Sequence, residues 1–110
     1  MKAGASQVCI TPPVGSDLTG FIGREQPSVG VNDELYVRLL YLEQGGERFL
    51  WIHADILGWM RARVQRLRKV VCRRLKLKER QVMFSATHTH SGPPTLPLRN
   101  CGRVDEAYLR

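Results

Sequence analysis

Apolar side chains fill both alternating sets of positions from Leu35 to Leu42, with Arg38 the one interruption. Arg48 to Ala54 repeats the pattern, and Gln44-Gly45-Gly46-Glu47 between the two runs is a turn signal. The pair predicts a β-hairpin. Apolar residues on both faces predict strands covered from both sides, as in α/β sheets. Met60, Val64, Leu67, Val71 and Leu75 then recur at helical spacing, which predicts one face of a helix over roughly residues 59–77. Gln81 to Ala86 reads as a third core strand. Near the start, Ala5 to Ile10 reads as a short strand that Thr11-Pro12-Pro13 ends, because proline cannot continue a ladder.

Between these elements the chain is loop. Val14 to Asp33 is punctuated by Gly15, Gly20, Gly23 and Gly30, and Thr87 to Arg103 by Gly92-Pro93-Pro94, Pro97 and Gly102. Loops this long inside compact domains tend to carry function. The last six residues, from Asp105, read as a helix just begun, with Asp105 as N-cap. One turn is not stable by itself. The predicted fold class is α/β: a mixed sheet with a β-hairpin followed by a β-α-β unit. Residues 1–110 are expected to be the N-terminal part of a larger domain, incomplete at its C-terminal end.

Composition narrows the functions. The chain is 43% hydrophobic and 25% charged, ordinary values for a globular protein. Its longest unbroken apolar runs are four residues, against about 20 for a membrane-spanning helix. The N-terminus has no apolar stretch of the kind a signal peptide needs, so a cytoplasmic location is expected. Cys9, Cys72 and Cys101 are odd in number and far apart, which fits neither a disulfide framework nor a zinc finger; they read as packing thiols. There is no G-x-S-x-G and no phosphate-binding glycine loop.

The net charge of +7 comes from one segment: residues 61–80 hold ten Lys or Arg and one acid, Glu79. Such a helix suits the phosphates of nucleic acid or of anionic lipid. It carries no aromatic for base stacking, so nucleic acid is not expected. A non-catalytic binding module acting through helix 61–80, or peripheral contact with an anionic membrane, is the alternative to an enzyme.

Candidate chemistry sits at strand ends. Strand 48–54, the helix and strand 81–86 form a β-α-β unit, whose strands must be parallel and end at the same sheet edge. Asp55 lies just past the first strand and Thr87-His88-Thr89-His90-Ser91-Gly92-Pro93 just past the second, where α/β sheets place their sites. His88 and His90, at i and i+2, would fall on one side of an extended segment. Imidazole is the usual ligand for zinc, and a carboxylate can orient a ligating histidine. By spacing alone the pair reads either as metal ligands or as loop histidines capping backbone groups, and Asp55 either as an orienting carboxylate or as the N-cap of the helix. His53, on a strand face with Phe49 and Trp51, reads as a core histidine with its polar tip hydrogen-bonded.

Several segments together resemble the N-terminal domain of the neutral/alkaline (non-lysosomal) ceramidases. They are Ala3-Gly4-Ala5, Ile10-Thr11-Pro12-Pro13-Val14-Gly15, Leu18-Thr19-Gly20-Phe21, Gly30 to Arg38, Ala54-Asp55-Ile56-Leu57-Gly58 and Phe84 to Pro93. The resemblance implies a zinc-dependent amidohydrolase that cleaves the N-acyl amide bond of ceramide or a related lipid amide. It implies that His88 is a zinc ligand, that His90 is a catalytic residue beside the metal and that Asp55 supports them. The family's other ligands would lie beyond residue 110, so these residues alone are expected to be inactive. Cys9 stands where the family commonly has Asp, and Asn32 where it often has His. The unfinished helix and long loop are expected to expose apolar surface and favour self-association.

Overall fold

The computed structural model describes residues 1–110. Strands β1 (Lys2–Cys9), β2 (Tyr36–Gln44) and β3 (Glu47–Ala54), helix α1 (Arg61–Leu75), a single 3₁₀ turn (Glu79–Gln81) and strand β4 (Val82–Ala86) follow in that order. The sheet runs β1-β2-β3-β4, antiparallel across its first two pairings and parallel across the last. This is the α/β arrangement expected, a mixed sheet with a hairpin and then a β-α-β unit. The hairpin closes through Gly45 and Gly46, both at positive φ (59° and 81°). A two-residue turn that follows the strand twist requires this, and glycine adopts it without strain.

Register decides what each strand face meets. Leu39 pairs with Ile52 and Ile52 with Phe84, so Val37, Leu39, Tyr41, Leu50, Ile52, Val82 and Phe84 share one face. That face holds the core: Leu50, Ile52, Leu77 and Val82 are buried together, with Val71 and Cys72 of α1 and Trp59 against them. Ile52→Val is expected to lower unfolding stability by about 1 kcal/mol, read from chemical denaturation. The opposite face carries Leu40, Leu42, Phe49, Trp51 and Met83, and Trp51 and Met83 are exposed. The strands are thus covered on one side, not both, because the chain has one helix and it crosses one face.

Two boundaries and the burial of the helix stripe differ from the sequence reading. β1 begins at Lys2 rather than Ala5 and is exposed along its whole length. It is held by backbone pairing with β2, which needs no apolar pattern. Helix α1 ends at Leu75, short of residue 77, because Lys76 enters the left-handed region (φ 52°) and its N–H bonds the Cys72 carbonyl. That reversal drops Leu77 into the core. The predicted apolar stripe is also only partly covered: Leu67 and Leu75 remain 40% and 48% exposed, since Val71 and Cys72 make the packing contact.

Arg68 ties α1 to the sheet edge. Its guanidinium donates to the Glu79 and Val82 carbonyls and lies over the Phe84 ring. At the C-terminal end Asp105 caps one turn, its Oδ1 accepting from Ala107 N and Tyr108 N. Tyr108 OH donates to the Ile10 carbonyl at 2.5 Å. Burial, with a smaller contribution from Cys9, pushes its phenol up to about 12. An unfolded tyrosine titrates near 10, so stability is expected to fall as pH rises from about 10 to 12. Tyr108→Phe should remove the highest phenolate step in an ultraviolet titration.

Fourteen of 110 residues are buried. The radius of gyration is 15.6 Å, against about 13 Å for a compact domain of this length. No helix is long and apolar enough to cross a membrane.

Candidate metal centre

The parallel pairing of β3 with β4 brings residues 55–58 alongside the segment that follows β4. Four of the five carbonyls from Ala54 to Gly58, all but that of Asp55, then act as a rail. Ala54 O accepts from Thr87 N at 3.0 Å, Ile56 O from His88 N at 3.1 Å, Leu57 O from His88 Nδ1 at 2.8 Å and Gly58 O from Thr95 Oγ1 at 2.8 Å. Ala54, Ile56 and Leu57 are buried, so these carbonyls have little access to water and are satisfied by the histidine loop.

The Leu57 contact sets the chemistry of His88. A carbonyl only accepts, so Nδ1 must carry the hydrogen; in the neutral ring the lone pair then lies on Nε2. Nε2 has no hydrogen-bond partner within the chain, and the residue is exposed. A ring fixed through Nδ1–H with Nε2 free is the arrangement a metal-ligating histidine adopts. The backbone at His88 is left-handed (φ 63°), so the segment is not extended as the i, i+2 spacing predicts. Even so, the His88 and His90 rings meet edge to face with centroids 5.1 Å apart.

His90 is placed by the loop that precedes β2. Its ring meets Phe21 at 5.1 Å. Arg24 donates to the His90 carbonyl at 3.0 Å while stacking over Phe21 at 4.7 Å. Gly20, at φ 99°, lies directly beneath it; an added Cβ would stand 2.5 Å from the His90 ring. Next to it Thr19 is wholly buried: its N–H donates to the Gly92 carbonyl, while its hydroxyl has no partner. A cleft of about 580 Å³ borders the histidine loop at Thr89 and Ser91, with Leu18 and Arg24 in its wall.

Asp55 ties two strand ends together. It does not cap α1, whose N-cap is Met60, and no hydrogen bond joins it to His88. Its Oδ2 accepts from Tyr36 N at 3.0 Å and from Arg38 at 2.6 Å, fastening the end of β3 to the start of β2. His53 keeps the hydrogen bond expected at its polar tip but is not in the core. It lies half-buried on the uncovered sheet face, edge-on to Trp51, with Nδ1 2.7 Å from Ser85 Oγ. Cys9 is exposed, not packed, with Sγ near Thr11 Oγ1 and Glu34 Oε2. A side-chain hydrogen bond from Thr11, with a smaller one from Cys9, holds the Glu34 carboxyl below its ordinary value.

No group of three or more His, Cys, Asp or Glu side chains converges in these 110 residues. The histidine pair therefore offers two imidazoles, one of them pre-oriented. Arg24 and the Leu57 carbonyl were not found from sequence: an arginine in a polar loop and a carbonyl, which every residue carries, give no signal.

The chain is 33% identical over 84 residues to the neutral ceramidase of Pseudomonas aeruginosa, an alignment covering 69% of this chain and 12% of that protein. The crystal structure of neutral ceramidase from Pseudomonas aeruginosa superposes with a TM-score of 0.72 at 24% identity, covering 84% of this chain and 15% of the other. A structure described as ceramidase complexed with C2 gives a TM-score of 0.70 at 23% identity, with the same coverage. No protein-family profile matches the chain. The chain thus spans about an eighth of the curated relative's length.

Proposed function

We propose, for a chain that belongs to the ceramidase family over this segment, that it supplies one half of a hydrolytic centre for the N-acyl bond of ceramide or a related lipid amide. The observation that carries this reading is the Nδ1–Leu57 hydrogen bond, which leaves Nε2 of His88 free beside the His90 ring. A neutral imidazole in that state suits zinc. His88 would hold the metal through Nε2. When bound, zinc lowers the pKa of water to about 7 and polarises an amide carbonyl.

The protein side of the reaction falls to the neighbouring groups. His90, fixed by Phe21, Arg24 and Gly20, is set to hold a proton at its ring and pass it to the departing amine. Asp55 acts through the scaffold, keeping the β2 and β3 ends together by way of Arg38 and Tyr36 N. A catalytic zinc takes three protein ligands, more than converge here. The 110 residues alone should therefore release no fatty acid from a ceramide analogue.

The test is a graft of this chain in place of the matching segment of the Pseudomonas aeruginosa neutral ceramidase. Metal-dependent release of fatty acid that disappears in His88→Asn is the expected result. A folded graft that stays silent with ceramide and other lipid amides overturns the reading, and turnover by the isolated 110 residues overturns the half-centre.

A further inference from the structure

We propose that the outward face of α1 docks on an anionic lipid bilayer. Ala62, Arg66, Lys69 and Arg73 recur at intervals of four, three and four, a single stripe along the helix, and Val70 and Arg74 flank it. All six residues are exposed. They lie away from Val71 and Cys72, the helix positions packed against the core. Beyond the helix, exposed Lys76, Lys78 and Arg80 extend the same charge, and Arg48 joins it by donating to the Lys76 carbonyl.

The four cations of the helix face, Arg66, Lys69, Arg73 and Arg74, make no ion pair within the fold. The three ion pairs of the chain are Lys2–Glu43, Arg38–Asp55 and Arg63–Glu106; none involves the stripe. Arg63 and Arg68, at the inner edges of the helix, are the basic residues used internally. Helix α1 contains no acidic residue, and Glu79 is the one acid of segment 61–80.

The exposed residues between the charges select the partner. Leu67 and Val70 are 40% and 48% exposed beside the stripe, and segment 61–80 has no aromatic ring. A single-stranded nucleic-acid surface stacks bases on aromatic rings, and the segment has none. Aliphatic side chains among long, flexible cations suit an interface where the stems lie along acyl chains and the heads meet phosphate. The surface is independent of the reading of His88.

The experiment is co-sedimentation of the chain with vesicles of phosphatidylcholine alone and of phosphatidylcholine with phosphatidylglycerol. Binding confined to the anionic vesicles and weakened by salt is the expected result. Each neutralised cation should cost roughly fivefold, so Arg66→Gln/Lys69→Gln/Arg73→Gln/Arg74→Gln should lose about 100-fold or more with its helical circular dichroism intact. Arg99→Gln/Arg103→Gln, in the loop after β4 and losing two charges as each paired variant below does, should bind as the parent does. If the quadruple variant unfolds, the pairs Arg66→Gln/Lys69→Gln and Arg73→Gln/Arg74→Gln carry the same test. Equal binding to neutral vesicles, no binding at low salt, or an undiminished folded variant overturns the proposal. So does a duplex oligonucleotide that strips the protein from vesicles at matched phosphate concentration, which would mark a nucleic-acid surface instead.

Discussion

Zinc titrated into the chain is expected to shift the imidazole resonances of His88 and His90 and leave those of His53 in place, and His88→Asn should weaken binding by about 100-fold or more. Losing the hydrogen-bond partner of a ligating histidine costs roughly 10- to 100-fold in affinity, and losing the ligand costs at least as much. Asparagine is the informative replacement. The His88 backbone sits at φ 63°, a conformation asparagine tolerates far better than alanine. The loop therefore keeps its course along the Ala54 and Ile56 carbonyls while the imidazole is gone. His53 serves as the internal control, because its Nδ1 is engaged by Ser85 on the uncovered sheet face. Calorimetry that finds unchanged zinc affinity in His88→Asn would remove His88 as a ligand.

Gly20→Ala should destabilise the chain by about 2–6 kcal/mol and disturb His90 above all. Two costs combine. A φ of 99° is open to glycine but costs an alanine about 1–3 kcal/mol. The new methyl would also stand 2.5 to 2.8 Å from three His90 atoms, its backbone Cα among them. Overpacking of this kind costs a further 1–3 kcal/mol, roughly. The His90 backbone is held by Arg24 through its carbonyl, so it cannot yield without breaking that hydrogen bond. Thermal unfolding reads the first effect, and the His90 ring resonances read the second. Gly15→Ala is the comparison, since it also has positive φ (94°) but open space around it; it should show the backbone cost and leave His90 unmoved. Equal His90 shifts in both variants would mean that the close approach of Gly20 does not position the ring.

These two expectations differ in how far they were legible in the sequence. The signature Thr87-His88-Thr89-His90 was visible as residue types, and its position past a strand followed from the β-α-β connection. Which ring nitrogen remains free was not visible. That is decided by a carbonyl of Leu57, and carbonyls leave no mark in a sequence. Gly20 was readable as a glycine in a loop, but its closeness to His90, 70 residues away in the chain, exists only once the loop before β2 folds under the histidines.

The sequence by itself determined the elements and their connection. Apolar runs of strand length, a Gly-Gly turn and a helical stripe are local signals, and the rule that a β-α-β unit joins parallel strands does the rest. Tertiary structure alone decided which sheet face α1 covers, where the helix stops and what Asp55 holds. Apolar patterning marks which positions are buried without saying against what. Leu67 and Leu75 match the stripe as well as Val71 does, yet only Val71 reaches the core. Asp55 meets Arg38 because the hairpin register pairs Arg38 with His53, which puts the guanidinium within reach of the strand end. A carboxylate beyond a strand announces itself in sequence; its partner is settled by where the neighbouring strand falls in space.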